Sequence, residues 1–164
     1  MITVSGYICI ASFSNVKILY GHGKGKNGFG NFEANGLRPF RTEKAAQKVV
    51  PAIQAFTGVK KVFIVRIRMR IAENGSELVR FRTKNNLVVI WKGENKKENR
   101  ILGPLTSRAR GIYPLPGALF KDNGLNRFRM YEDAEHVAKE VNRQAQSPAT
   151  IAEIEILPLS ILRQ

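Results

Sequence analysis

One stretch of this chain occurs twice, and that constrains the fold more than any short motif. NFEANGLRPFRTEKAAQKVVPAIQ, residues 31–54, aligns without a gap on LFKDNGLNRFRMYEDAEHVAKEVN, residues 119–142, at a constant offset of 88. Identities fall at Phe32/Phe120, Asn35/Asn123, Gly36/Gly124, Leu37/Leu125, Phe40/Phe128, Arg41/Arg129, Ala46/Ala134 and Val49/Val137. Ile53/Val141 and Gln54/Asn142 are conservative matches. Chance supplies an NGL match; further identities in the same register, followed by the same helical pattern, are hard to obtain that way. The expectation is a single domain over residues 1–164, built of two pseudo-repeats at about 1–73 and 76–164.

Each copy reads alike. An Asn-Gly turn is followed by a Phe-Arg pair and an amphipathic helix. In the first copy Ala45, Ala46, Val49, Val50, Ile53 and Phe56 form an apolar stripe, with Thr42 as N-cap. In the second, Ala134, Val137, Ala138 and Val141 form the stripe, and Glu132 and Asp133 suit the positive end of the helix dipole. Pro51 is expected to kink or restart the first helix. Strands are predicted at 3–11, 16–20, 62–71, 78–83, 87–91 and 150–157. The predicted fold is α+β: duplicated strand-strand-helix-strand units forming a sheet with two helices on one face, related by a pseudo-twofold. The apolar tail ILPLSIL is expected to pack back on the body.

The second feature is KVFIVRIRMRIAENGSELVRFRTK, residues 61–84. Alternation places Phe63, Val65, Ile67, Met69 and Ile71 on one strand face and Arg66, Arg68 and Arg70 on the other. The next segment alternates Val79 and Phe81 with Arg80, Arg82 and Lys84, and ENGS between them is a turn signal. A three-residue hairpin loop, Glu73-Asn74-Gly75, aligns Met69 with Val79 and Ile67 with Phe81. It also sets Arg68 against Arg80 and Arg66 against Arg82, and like charges opposite one another destabilise a strand pair. An anion across this face relieves the repulsion. Internal pairing with Glu153 and Glu155 of the last strand does so too, but two carboxylates leave the face positive.

Composition agrees with an anionic partner. The chain carries 27 Lys and Arg against 13 Asp and Glu, a formal charge of +14, with enough hydrophobic content (43%) for a core. Two loops add cations: GHGKGKNGFG with Lys24 and Lys26, and RARGIYPLPG with Arg108 and Arg110. Phe29 and Tyr113, in glycine-containing loops, suit stacking on bases, whereas Trp91 at the end of LVVIW reads as core. Arg41 and Arg129 read as braces for the turns.

Several classes find no support. The glycine-rich loop lacks the spacing of a phosphate-binding P-loop or a dinucleotide fingerprint. Cys9, the only cysteine, permits no intramolecular disulfide and no cysteine-built metal site, and it reads as a small buried side chain. The histidines, His22 in a loop and His136 on the solvated side of the second helix, make no catalytic constellation. The opening MITVSGYICIASF does not read as a signal peptide and no stretch is long enough to span a membrane, so a reducing, cytoplasmic location is expected. Signatures of helix-turn-helix, zinc-finger, ribonucleoprotein-motif, KH and P-loop proteins are absent.

These features predict a non-enzymatic nucleic-acid-binding protein, monomer or homodimer, with no cofactor, metal or membrane association. DNA and RNA are both open. Its phosphate contacts are Arg66, Arg68, Arg70, Arg80, Arg82, Lys84, Lys24, Lys26, Arg108 and Arg110, with Phe29 and Tyr113 for stacking. The alternative is an inhibitor or adapter that binds an acidic partner protein. A third reading places a phosphorylated small molecule in the GHGKGKNGFG loop.

Overall fold

The structure is a computed structural model and describes residues 1–23, 28–92, 98–105, 117–145 and 148–159. It is α+β. Eight strands form an antiparallel sheet: β1 (Ile2–Ser12), β2 (Lys17–His22), β3 (Phe29–Asn31), β4 (Lys61–Ile71), β5 (Leu87–Lys92), β6 (Asn99–Pro104), β7 (Gly117–Leu119) and β8 (Ala149–Pro158). Their order is β3-β2-β1-β4-β8-β5-β6-β7. Among the described residues three α-helices accompany them, α1 (Glu43–Gln54), α2 (Gly75–Leu78) and α3 (Tyr131–Ala145), with a 3-10 turn at Val79–Phe81. Among the described residues no helix is long and apolar enough to cross a membrane.

The chain divides into two compact units. One comprises Val4–Arg68 and the described residues from Glu155 on; the other comprises Met69–Ile154 and Met1–Thr3. In the 4–68 unit, β1 pairs with β2 so that Cys9 faces Tyr20 and Ala11 faces Ile18. Helix α1 lays Ala46, Val49 and Ile53 against Cys9, Ala11 and Phe40. Ile8, Cys9, Ile10 and Ala11 are all buried in succession, so both faces of β1 are covered. Burying the Ile8 and Ile10 side chains contributes about 1.5–3 kcal/mol each. Thr42 caps α1, its Oγ1 accepting from Ala45 N at 3.1 Å. Pro51 neither ends nor restarts the helix, which runs on to Gln54. It lies in the last turn and is exposed, and its carbonyl still accepts from Ala55 N.

In the 69–154 unit, β5 pairs with β6 and β8, setting Val89 opposite Leu102 and Ile151. Helix α3 packs Ala134, Val137 and Ala138 on that patch with Phe81, Phe128 and Tyr131. His136, expected on the solvated side, is half-buried.

The two Asn-Gly-Leu turns have the same hydrogen bonds. Asn35 Nδ2 donates to His22 O and Arg38 O, and its Oδ1 accepts from Arg38 N. Asn123 Nδ2 donates to Pro104 O and Asn126 O, and its Oδ1 accepts from Asn126 N. In each, glycine and leucine are successive left-handed residues: Gly36 and Leu37 at φ 82° and 59°, Gly124 and Leu125 at φ 79° and 63°. Glycine adopts this freely, whereas leucine does so at a cost of roughly 1–2 kcal/mol. The bonds from Leu37 N to Phe32 O and from Leu125 N to Phe120 O hold it there.

The strand tally differs from the expectation. Three strands precede each long helix, the third being only three residues long (β3 and β7), and β6 was not foreseen. The predicted strand at 78–83, and with it the arginine hairpin, does not form. Residues 75–81 are helical instead. Asn74 is an N-cap, its Oδ1 accepting from Glu77 N at 3.1 Å and from Ser76 Oγ at 2.6 Å. The Glu77 carboxylate reaches back to Glu73 N at 2.9 Å. Asn-x-x-Glu is a capping-box pattern, and local side-chain bonds to the backbone outcompete a hairpin whose two strands would oppose arginines. The amino terminus of Met1 pairs with both Glu73 and Glu77. Its hydrogen bond to Glu77, then that to Glu73, raises the ammonium pKa; the reciprocal bond is the main cause of a lowered Glu77.

Candidate nucleic-acid interface

Strand β4 carries three arginines at alternate positions, Arg66, Arg68 and Arg70. Val65, Ile67, Met69 and Ile71 are buried, while Arg66 and Arg68 are exposed and Arg70 is half-buried. Residues two apart on a strand are about 6.6 Å apart, so the three guanidinium groups spring from a line of about 13 Å. Among the described residues, none of the three makes an ion pair. The carboxylates expected to neutralise them do not: Glu155 is half-buried without an ion pair to Arg66 or Arg68, and Glu153 is buried without one to Arg70. Glu153 Oε2 has no hydrogen-bond partner.

Arg80, Arg82 and Lys84 are exposed, on and just after the 3-10 turn, rather than on a strand beside β4. Phe81 anchors this turn in the core with Phe128 and Tyr131, at the start of α3. Burial and then the hydrogen bond with Glu135 raise the Tyr131 phenol pKa; the charge of Arg82 opposes them, as a cation near that hydroxyl must. Val79 and Met130 are exposed on the same unit, at 54% and 47%. Lys24, Lys26, Arg108, Arg110 and Tyr113 lie outside the described residues.

Arg41 and Arg129, read as braces, are exposed and make no hydrogen bond among the described residues. Arg127 braces its turn instead. Its Nη1 donates to Ile154 O at 3.4 Å, and burial lowers its pKa. Trp91 is half-buried, with the Arg100 guanidinium 5.7 Å from its ring centroid.

Phe29 is not in a free loop. It lies on β3 across from His22 and packs edge-on against Tyr20, centroids 5.6 Å apart at 85°. Phe56 completes the group, 6.1 Å from Tyr20 and 5.9 Å from Phe29, yet stays 41% exposed. Burial raises the Tyr20 phenol pKa. In sequence Phe56 reads only as the end of the α1 stripe; its distance beyond the last buried position, Ile53, is the one signal of its exposure.

No protein-family model matches the chain, and neither a curated protein nor a solved structure matches it.

Proposed function

We propose that this protein is a non-enzymatic nucleic-acid-binding protein that holds the phosphate backbone with the arginines of β4, assisted by the cations at residues 80–84. The carrying observation is a row of arginines, alternating with buried apolar residues and making no ion pair among the described residues, on a chain of charge +14. Cations spaced about 6.6 Å apart on one strand repel one another weakly in water, and phosphates spaced along a backbone offset that repulsion without base readout. The loop cations Lys24, Lys26, Arg108 and Arg110 belong to the same reading on sequence grounds.

We further infer that the two halves are copies of one ancestral unit related by a pseudo-twofold. Supporting this are the matched turn residues, their equal hydrogen bonds, and a strand order that reads alike outward in both directions from the β4–β8 pair.

The test is fluorescence anisotropy with labelled duplex DNA, single-stranded DNA and structured RNA at about 50 and about 200 mM salt. Engaging roughly five phosphates of a duplex gives a log–log salt slope near −4.5. Replacing Arg66 and Arg68 by Ala weakens binding and flattens that slope by about 1.8. Uniformly weak binding at both salts sinks the proposal. The second reading, an acidic partner protein, is favoured by one observation: Val79 and Met130 are exposed on the unit that carries Arg80 and Arg82. Retention of an acidic protein with no affinity for oligonucleotides selects it.

A further inference from the structure

The three rings of Tyr20, Phe29 and Phe56 come from β2, β3 and the end of α1, and each packs on the other two within 6.1 Å. A group serving only the core hides its rings. Here Tyr20 and Phe29 are half-buried and Phe56 leaves 41% of its surface in water. Phe56 follows the helix cap Ala55, which still has helical dihedrals of φ −76° and ψ −12°. Positions 44, 48 and 52 form one ridge of α1 at four-residue spacing, about 6 Å per step, and Phe56 stands two residues past the helix end, its N–H bonded to Ile53 O. All four are exposed: Lys44, Lys48, Ala52, then the aromatic ring. Neither lysine makes an ion pair among the described residues. Two cations thus lead along a helix surface to an exposed ring backed by two others.

We propose that this ridge binds single-stranded nucleic acid, with an unpaired base stacked on Phe56 and the adjoining phosphates held by Lys44 and Lys48. The proposal rests on the nucleic-acid reading above and names its form. Base–aromatic stacking needs an exposed base face, which a duplex keeps within its own stack. The occupant is an anion with an aromatic face. A cationic partner is opposed by the lysines, and an acidic peptide without aromatic residues makes no use of the ring.

The test compares wild type, Phe56→Ala, Phe56→Trp and the double variant Lys44→Ala/Lys48→Ala, with a labelled 12-nucleotide single strand, its 12-base-pair duplex, and polyglutamate as competitor. The wild type is expected to prefer the single strand. Phe56→Ala is expected to lose roughly 5- to 150-fold in single-strand affinity and less than about twofold for the duplex. Phe56→Trp retains affinity, and its added fluorescence is quenched by the single strand and not by the duplex. The lysine pair loses affinity without lowering the melting temperature. Single-strand affinity unchanged in Phe56→Ala overturns the proposal, as do an unquenched Phe56→Trp and displacement by polyglutamate as effective as by oligonucleotide. If the wild type binds oligonucleotides but Phe56→Ala changes nothing, this inference alone fails. If it binds neither form, the reading above fails with it.

Discussion

The turn at residues 31–42 and the turn at 119–130 share a frame and differ in everything hung on it. In both, an asparagine closes three hydrogen bonds, glycine and leucine take left-handed conformations, and a phenylalanine bridges to the neighbouring strand, Phe40 to Tyr7 and Phe128 to Leu87. Outside that frame, Arg38 is exposed where Asn126 is half-buried and donates its own side-chain bond to Asn123 O. Pro39 lies against Gly6, whereas Arg127 reaches the Ile154 carbonyl. Thr42 caps its helix with a hydroxyl; Met130, at the same offset, has none to offer. The difference teaches that the repeated residues are mostly those that shape the turn and fill the core beside it, Phe32/Phe120, Phe40/Phe128, Ala46/Ala134 and Val49/Val137 being buried in both copies, while the residues between them drift. The residues proposed to bind nucleic acid, Arg66, Arg68, Lys44, Lys48 and Phe56, all lie outside the identities of the repeat.

The strongest way to break the comparison is at Gly21 and Gly103. An added Cβ stands 2.1 Å from Arg38 O at the first and 2.2 Å from Asn126 O at the second, both backbone atoms with nowhere to move. Gly21→Ala and Gly103→Ala should each cost about 3 kcal/mol or more in urea unfolding. One tolerated variant means the turns are not equivalent. Asn123→Ala should cost about 2–3 kcal/mol, and Asn35→Ala somewhat less, because its bonds lie nearer solvent. Equal losses remove that distinction.

Cys9 tests the comparison through pH. Aligned by the Tyr7 and Leu87 bridges, its counterpart is Val89, so Cys9→Val should change stability by less than about 1.5 kcal/mol at pH 7. Burial lifts the thiol from its ordinary 9.0 to about 12. The folded chain therefore keeps a proton that the unfolded chain releases first. This contribution to stability is complete below 9.0 and is lost as pH rises toward about 12. Cys9→Val should flatten that alkaline decline, and an identical slope in both proteins contradicts the assignment. At the helix starts, Thr42→Ala should cost about 1 kcal/mol and Met130→Thr should gain up to about as much by thermal melting. Smallest of all, Arg68→Ala and Arg80→Ala should leave stability within about 0.5 kcal/mol or raise it slightly, since neither makes an ion pair among the described residues. A large loss there marks a structural role.

Both long helices, their apolar stripes, the cap at Thr42 and the strands on either side of the repeat are legible in the linear chain, because each depends on spacing within one element. The arginine alternation is legible for the same reason, and Arg66, Arg68 and Arg70 do alternate with buried residues on β4. The segment 78–83 reads as a strand because Val-x-Phe alternation fits a strand as well as a short helix, and only the bonds of Glu77 N to Asn74 Oδ1 and of Glu73 N to the Glu77 carboxylate break the tie. Two matters belonged to the tertiary structure alone. Among the described residues Glu153 and Glu155 make no ion pair with the arginines within their own units, a question of side-chain placement that strand periodicity does not reach. The aromatic trio joins positions 20, 29 and 56, which no local period links. By itself the sequence determined the elements, their buried faces and the excess of positive charge, since these follow from short-range geometry and composition. Which rings meet and which charges stay unpaired was decided by strand pairing and helix docking, because those contacts form between segments that approach only when the chain is folded.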